Sequence, residues 1–224
     1  MDPLKSYMVS EIFSSIQGEG LHAGWPCVFL RLQGCNLWPD PEVLSPVCPY
    51  CDTKQLHDGR LKSLEEVVYQ VMAERHSIGR LRNSEDVGLV ITGGEPLLQL
   101  DDQLIWELAD FFSWIDIETN GTVEPMFNRE LLRGFGYVSC SPKTPTIRLE
   151  PDWFKVLIPA HYDLLDLIEN QYQNIPVYVQ PVDPPYEDDD TEDVYESNVE
   201  KCIQLVRERG YRLSVQLHKI LDLP

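Results

Sequence analysis

VGLVITGGEP, residues 87–96, carries an unbroken apolar run of strand length into a Gly-Gly turn, and a helical pattern follows at 101–112. A strand without polar alternation, leading directly to a helix, is the repeating unit of a parallel sheet covered on its faces. The same order recurs on both sides. Upstream lie a strand at 27–33 (CVFLRLQ) and a helix opened by the capping box Ser63-Leu64-Glu65-Glu66. Downstream come strands at 114–119, 137–140, 153–158, 175–182 and 211–217, with helices expected around 124–133, 161–170 and 194–209. Repeated strand–helix units joined by right-handed crossovers predict an α/β sheet or barrel. About six units are too few for a complete eightfold barrel, so the expected fold is open or partial. No linker or internal repeat divides the chain, and one domain spanning 1–224 is expected.

Function in such folds gathers at the carboxyl ends of the strands. Those ends read Gly34-Cys35, Thr92-Gly93-Gly94-Glu95-Pro96, Glu118-Thr119-Asn120-Gly121, Ser141-Pro142-Lys143 and Gln180-Pro181-Val182-Asp183. Each is polar or glycine-containing, which suits a polar ligand. The two glycines of TGGEP predict exposed backbone amides for a carboxylate, and Glu95 beside them an acceptor for an ammonium group.

Among six cysteines, Cys35, Cys48 and Cys51 form a C-x12-C-x2-C set in one proline-rich loop, whereas Cys27, Cys140 and Cys202 sit in apolar or helical patterns as buried thiols. With no export signal the thiols are expected to be reduced, against a disulfide framework. Spacing leaves two metal chemistries open. A structural zinc site would need a fourth ligand, for which His57 is available. A [4Fe–4S] cluster held by three cysteines leaves one iron free for a ligand.

With 37 acidic and 18 basic residues the formal charge is −19. Phosphate backbones are repelled by such a chain, so no nucleic-acid partner is expected. The acidic run at 187–190 reads as a solvated loop. No apolar stretch is long enough for a membrane span and the N-terminus has no leader pattern, so a soluble, cytoplasmic protein is expected.

The cysteine spacing after the first strand, with ITGGEP after the second, resembles the radical S-adenosylmethionine (SAM) superfamily. FSSIQGEG (13–20), CVFLRLQGCNL, CDT (51–53), ETNGT, SPK and the terminal QLHKILDLP together resemble one branch, the 7-carboxy-7-deazaguanine synthases, over nearly the whole chain. The first cysteine gap is longer than the superfamily's usual three residues. The resemblance implies an incomplete parallel β/α barrel, with a cluster-binding loop at 35–53 and a substrate-contacting tail at 211–224. It implies a [4Fe–4S] cluster on Cys35, Cys48 and Cys51 whose fourth iron takes SAM, and reductive SAM cleavage to a 5′-deoxyadenosyl radical. SAM would be held by Gly94, Glu118 and Asn120 (with Thr119 beside them), by Ser141, Pro142 and Lys143, and by Gln180, Pro181, Val182 and Asp183. The implied substrate is 6-carboxy-5,6,7,8-tetrahydropterin, losing hydrogen at C6 and then ammonia. It would meet Ile16, Gln17, Gly18, Glu19, Arg31, Thr92, His218 and the terminal carboxylate of Pro224. Arg31 offers a planar fork for the substrate carboxylate. Thr53 matches a Mg2+ ligand, with Asp52 adjacent. A homodimer and a flavodoxin-like or ferredoxin electron donor are also implied. The competing readings are a radical SAM activase of glycyl-radical enzymes and, more distantly, a zinc-stabilised binding module.

Overall fold

In a computed structural model of the protein, residues 5–38, 48, 51, 59–79, 87–183 and 191–223 are described. In chain order the strands are β1 (Ser6–Ile16), β2 (Pro26–Leu32), β3 (Arg60–Ser63), β4 (Gly88–Gly93), β5 (Trp114–Thr119), β6 (Gly136–Cys140), β7 (Trp153–Ile158), β8 (Val177–Pro181) and β9 (Arg212–Leu213). The helices are α1 (Leu64–Ser77), α2 (Asp102–Ala109), α3 (Leu165–Gln171), α4 (Thr191–Arg209) and α5 (Leu217–Ile220). Among the described residues the strands form one sheet in the order β3-β1-β2-β4-β5-β6-β7-β8-β9. From β2 to β9 every pairing is parallel, whereas β1 runs antiparallel to both β2 and β3. The sheet does not close: it is the expected α/β partial barrel, with β3 and β9 at its edges.

The sequence places each crossover. Ser63 closes a full capping box with Glu66 at the start of α1, and the Asp101 carboxylate caps α2 by accepting from Leu104 N. Strand periodicity then sorts the two faces. Leu89 and Ile91 of β4 and Ile115 and Ile117 of β5 are fully buried in a core with Leu104, Ile105 and Leu108 of α2 and Val67 and Val71 of α1. Phe154, Val156 and Ile158 of β7 join Leu165 and Ile168 of α3 and Cys202 and Leu205 of α4 in a second core. Each aliphatic side chain so enclosed contributes about 1.5–3 kcal/mol. The opposite face of the strands, toward the inside of the curved sheet, carries Arg31, Thr92, Glu118, Lys155 and Gln180, which all line one cleft.

Three local expectations are corrected. The first strand is β1, not the run at 27–33, and it adds an antiparallel arm to the parallel sheet; its SEIFSS segment has only half-buried side chains and hence no clear alternation. The helix expected around 124–133 is a single 3₁₀ turn, Arg129–Leu132, which starts only after Asn128, whose side chain caps it by accepting from Glu130 N. The strand expected at 211–217 shrinks to Arg212–Leu213, and helix α5 starts at Leu217. The Ser214 hydroxyl turns instead to the Gln180 side chain, 3.0 Å away.

Candidate functional site

A cleft of about 510 Å³ opens at the carboxyl edge of the parallel strands, within the size range of small-molecule and cofactor sites. One end is formed by the cysteines. Cys35, Cys48 and Cys51 are half-buried thiols on the cleft wall, beside Leu37 and Trp38. A hydrogen bond to Cys51 and then burial push the Cys48 thiol well up, and burial does the same to Cys35. Such thiols ionise when a metal cation replaces the proton. Among the described residues no three His, Cys, Asp or Glu side chains converge as ligands of one metal ion. Three separate soft thiols on one wall fit a cluster that offers each its own iron. Cys27, Cys140 and Cys202 are fully buried, as expected.

The TGGEP turn is locked against the cysteine loop. Gly94 N donates to Leu32 O (3.2 Å) and Glu95 N to Gly34 O (2.8 Å). A Cβ at Gly94 would lie 2.4 Å from Gly34 O and 2.8 Å from the Cys35 Cβ, so glycine is required for this approach. The expectation that the Gly94 amide and Glu95 face a ligand is therefore corrected. Glu95 is fully buried, and its carboxylate accepts from Leu97 N (3.0 Å), Thr119 Oγ1 (2.7 Å) and Asn120 N (2.7 Å). It joins the ends of β4 and β5 instead of meeting an ammonium group. Gly94 itself still lines the cleft.

Next along the edge, the Asn120 amide donates to Asn36 Oδ1 (3.1 Å), which ties β5 to the cysteine loop. Ser141 N reaches Thr119 O at 2.7 Å, and Lys143 Nζ donates to Ser141 Oγ at 2.7 Å. Glu118, Thr119, Asn120, Ser141, Lys143, Gln180, Pro181, Val182 and Asp183 all line the cleft. Pro142 is buried beside it and is not among the lining residues.

The opposite side comes from the turn after β1 and from the C-terminal segment. Gln17 Nε2 donates to Glu118 Oε1 (3.2 Å), and Thr92 Oγ1 to Glu118 Oε2 (3.3 Å). Arg31 on β2 faces Glu11 in the β1–β2 register, next to an irregularity between Val9 and Glu11. Its Nε donates to Glu11 Oε1 at 2.6 Å. Glu19 is ion-paired with Lys155 and accepts from Gln180 Nε2 at 3.1 Å. Burial alone would raise the Glu19 carboxyl, but the Lys155 ammonium holds it below its usual value. Gly18 accepts from Leu217 N at 3.1 Å, and a Cβ there would lie 2.4 Å from His218 Nδ1, so the turn and α5 touch closely. Gln17, Glu19, Arg31, Thr92 and His218 line the cleft, whereas Ile16 and Gly18 are not among its lining residues. Asp52, Thr53, His57 and Pro224 lie outside the described residues.

Glu11, Lys155, Gln216 and Lys219 also line the cleft; Glu11 and Lys155 lie outside the quoted motifs, and Gln216 and Lys219 lie within the terminal QLHKILDLP, which assigned them no role. For Lys155 a signal exists: it is the one charge in the apolar run WFKVLI, and a lysine buried in a strand requires a partner.

An open parallel β/α sheet with three cysteines and a row of polar turns on its carboxyl edge is the architecture of a radical SAM enzyme. No family model matches the chain. It is 33% identical over 234 residues to the 7-carboxy-7-deazaguanine synthase of Burkholderia multivorans, covering 98% of this chain and all of that one. The synthase of Caulobacter vibrioides is 33% identical over 229 residues, with 98% and 100% covered, and that of Nitratidesulfovibrio vulgaris 34% over 230 residues, again with 98% and 100% covered. The crystal structure of QueE from Escherichia coli shares the fold, with a TM-score of 0.65 over 94% of both chains at 24% identity. The chain belongs to the 7-carboxy-7-deazaguanine synthase family of radical SAM lyases. That kinship separates it from the glycyl-radical activases and from a zinc-stabilised module.

Proposed function

We propose that the protein converts 6-carboxy-5,6,7,8-tetrahydropterin to 7-carboxy-7-deazaguanine with release of ammonia. The observation that carries the reading is the convergence, on one cleft, of three thiols and an arginine, Arg31, among polar side chains; we assign that arginine to the substrate carboxylate. Cys35, Cys48 and Cys51 would hold a [4Fe–4S] cluster, with SAM beside it against Gly94, Asn120, Ser141, Lys143 and residues 180–183. When bound, the pair supplies reductive cleavage of SAM to a carbon radical able to remove hydrogen from the substrate.

The chain's own residues do the rest. Arg31 keeps its two Nη groups for the substrate carboxylate while Glu11 holds Nε. Glu19 presents carboxylate oxygens to the N–H groups of the amino-pyrimidine ring, while Thr92 and Gln17 hold Glu118 in place on the SAM side. Glu95 takes no part in ligand binding and fixes the edge on which the site stands. Mg2+ bound through Thr53 would balance the substrate carboxylate's charge. The reading includes a flavodoxin-like or ferredoxin electron donor, a homodimer and a cytoplasmic location; among the described residues no helix is long and apolar enough to cross a membrane.

The test is anaerobic reconstitution with iron and sulfide, followed by SAM, Mg2+, reductant and the carboxytetrahydropterin. Chromatographic appearance of 7-carboxy-7-deazaguanine, lost when SAM, reductant or pterin is omitted and reduced without Mg2+, is the expected result. SAM cleavage without that product would overturn the substrate assignment.

A further inference from the structure

The cleft contains one buried cation to which the proposed reaction gives no role. Lys155 lies in the middle of β7, where Phe154 and Val156 on either side face the hydrophobic core. Its own side chain is only 10% exposed and meets Glu19, whose side chain is 9% exposed. An ion pair this enclosed costs desolvation of both charges, and is weak evidence for stability alone. What it does secure is geometry.

Glu19 belongs to the turn assigned to the pterin, and Gln180 to the edge assigned to SAM. A ring of hydrogen bonds joins them. Gln180 Nε2 donates to Glu19 Oε1 (3.1 Å), Ser214 Oγ donates to Gln180 Oε1 (3.0 Å), and Gly20 N donates to Ser214 Oγ (3.3 Å). The ring returns to the residue after Glu19. Lys155 is anchored in a strand whose register with β8 is continuous from Phe154 to Ile158, and it holds the second oxygen of the same carboxylate.

We propose that Lys155 is a positioning residue which, by fixing the Glu19 carboxylate against Gln180, sets the pterin side of the cleft relative to the SAM side and so couples SAM cleavage to hydrogen abstraction from the substrate. The proposal rests on the assignment of the two subsites under the proposed function. A displacement of about 1 Å between reacting groups is enough to cost on the order of a hundredfold in rate. Loss of the pair therefore leaves SAM cleavage running while less substrate is captured.

Lys155→Met removes the charge at similar length, and Lys155→Arg retains it. Two quantities are read: the Kd of cluster-free protein for 6-carboxytetrahydropterin by calorimetry, and the ratio of product to 5′-deoxyadenosine in reconstituted enzyme. The expected result for Lys155→Met is a Kd raised about tenfold and a ratio lowered about tenfold or more, with the Kd of reconstituted enzyme for SAM within about twofold of wild type. Lys155→Arg should recover much of both. If Lys155→Met does not melt cooperatively, Lys155→Gln, a neutral donor of shorter reach, is read in its place. A folded neutral variant with wild-type pterin affinity and wild-type ratio overturns the role of Lys155. Wild-type protein that neither binds the pterin nor forms product overturns the subsite assignment itself.

Discussion

Arg31 and Glu11 illustrate how much of the site is decided between single residues. The guanidinium is half-buried on β2, and Glu11 of the neighbouring strand takes its Nε at 2.6 Å. Among the described residues the two Nη groups have no other partner, so the outer fork is aimed at the cleft. Lysine cannot reproduce a planar, two-point contact. Arg31→Lys is expected to raise KM for the pterin about 10- to 100-fold, the loss of one charge-assisted hydrogen bond, while SAM cleavage without substrate stays near wild type. Steady-state product formation beside 5′-deoxyadenosine release checks both. Equal loss of both would place Arg31 in a structural role. Arg31 and the three cysteines were legible in the sequence because they sit in short local motifs or directly before one. Glu11 and Lys155 were not: their partners lie 20 and 136 residues away, and only the folded sheet brings them together.

The elements were legible where hydrophobic period and turn chemistry agreed, and misread where tertiary contacts decided. VGLVIT and WFKVLI became β4 and β7, and the Ser63–Glu66 box opened α1. β1 was missed because one of its faces is closed by neighbours drawn from far along the chain, with the Tyr7 hydroxyl bonded to Asp101 across 94 residues. TGGEP was located correctly but its chemistry was reversed, since a glycine turn reads alike whether it approaches a ligand or another backbone. Here the backbone is that of residue 34, and Gly94→Ala tests it. The added methyl must displace Gly34 O, with overpacking of this kind costing about 1–3 kcal/mol, and each kcal/mol lowers Tm by about 2–4 °C in a chain of this size. A Tm within about 1 °C of wild type by circular dichroism would show that the turn relaxes freely.

His161 supplies a second test, at the entry to the 3₁₀ turn before α3. Burial, with help from Lys143, depresses its imidazole from 6.5 to about 4. Below pH 6.5 the unfolded chain takes up a proton that the folded chain refuses until about pH 4, so stability is lost as pH falls through that window. Between pH 7 and pH 5 the Tm of the wild type should therefore fall more steeply than that of His161→Gln. Parallel curves would show that His161 titrates normally.

At the scale of the whole molecule, net charge governs the response to solvent. The 37 acidic residues exceed the 18 basic ones by 19, and a compact shape crowds that excess. Several of the cations are committed: Lys155 and Arg31 lie in the cleft, Lys143 bonds Ser141, and Lys219 pairs with Asp183 at 2.8 Å. Arg60 and Lys62 stand on β3 at one open edge and Arg212 on the two-residue β9 at the other, where charges discourage strand addition. Two salt effects then oppose each other. Added salt weakens exposed pairs such as Arg209 with Asp166, each worth about 0–1 kcal/mol. It also screens the repulsion among the unmatched carboxylates, which acts over a Debye length of about 30 Å at 10 mM but about 8 Å at 150 mM. With 19 charges unmatched, the second effect wins, and Tm should rise by several degrees as NaCl goes from about 10 to about 150 mM. The rise should be the same with KCl, since screening depends on ionic strength and not on the cation's identity. A flat or falling Tm would mean that the acidic side chains are spaced widely enough on the surface for solvent alone to separate them, and that local pairs, not net charge, govern how this fold responds to salt.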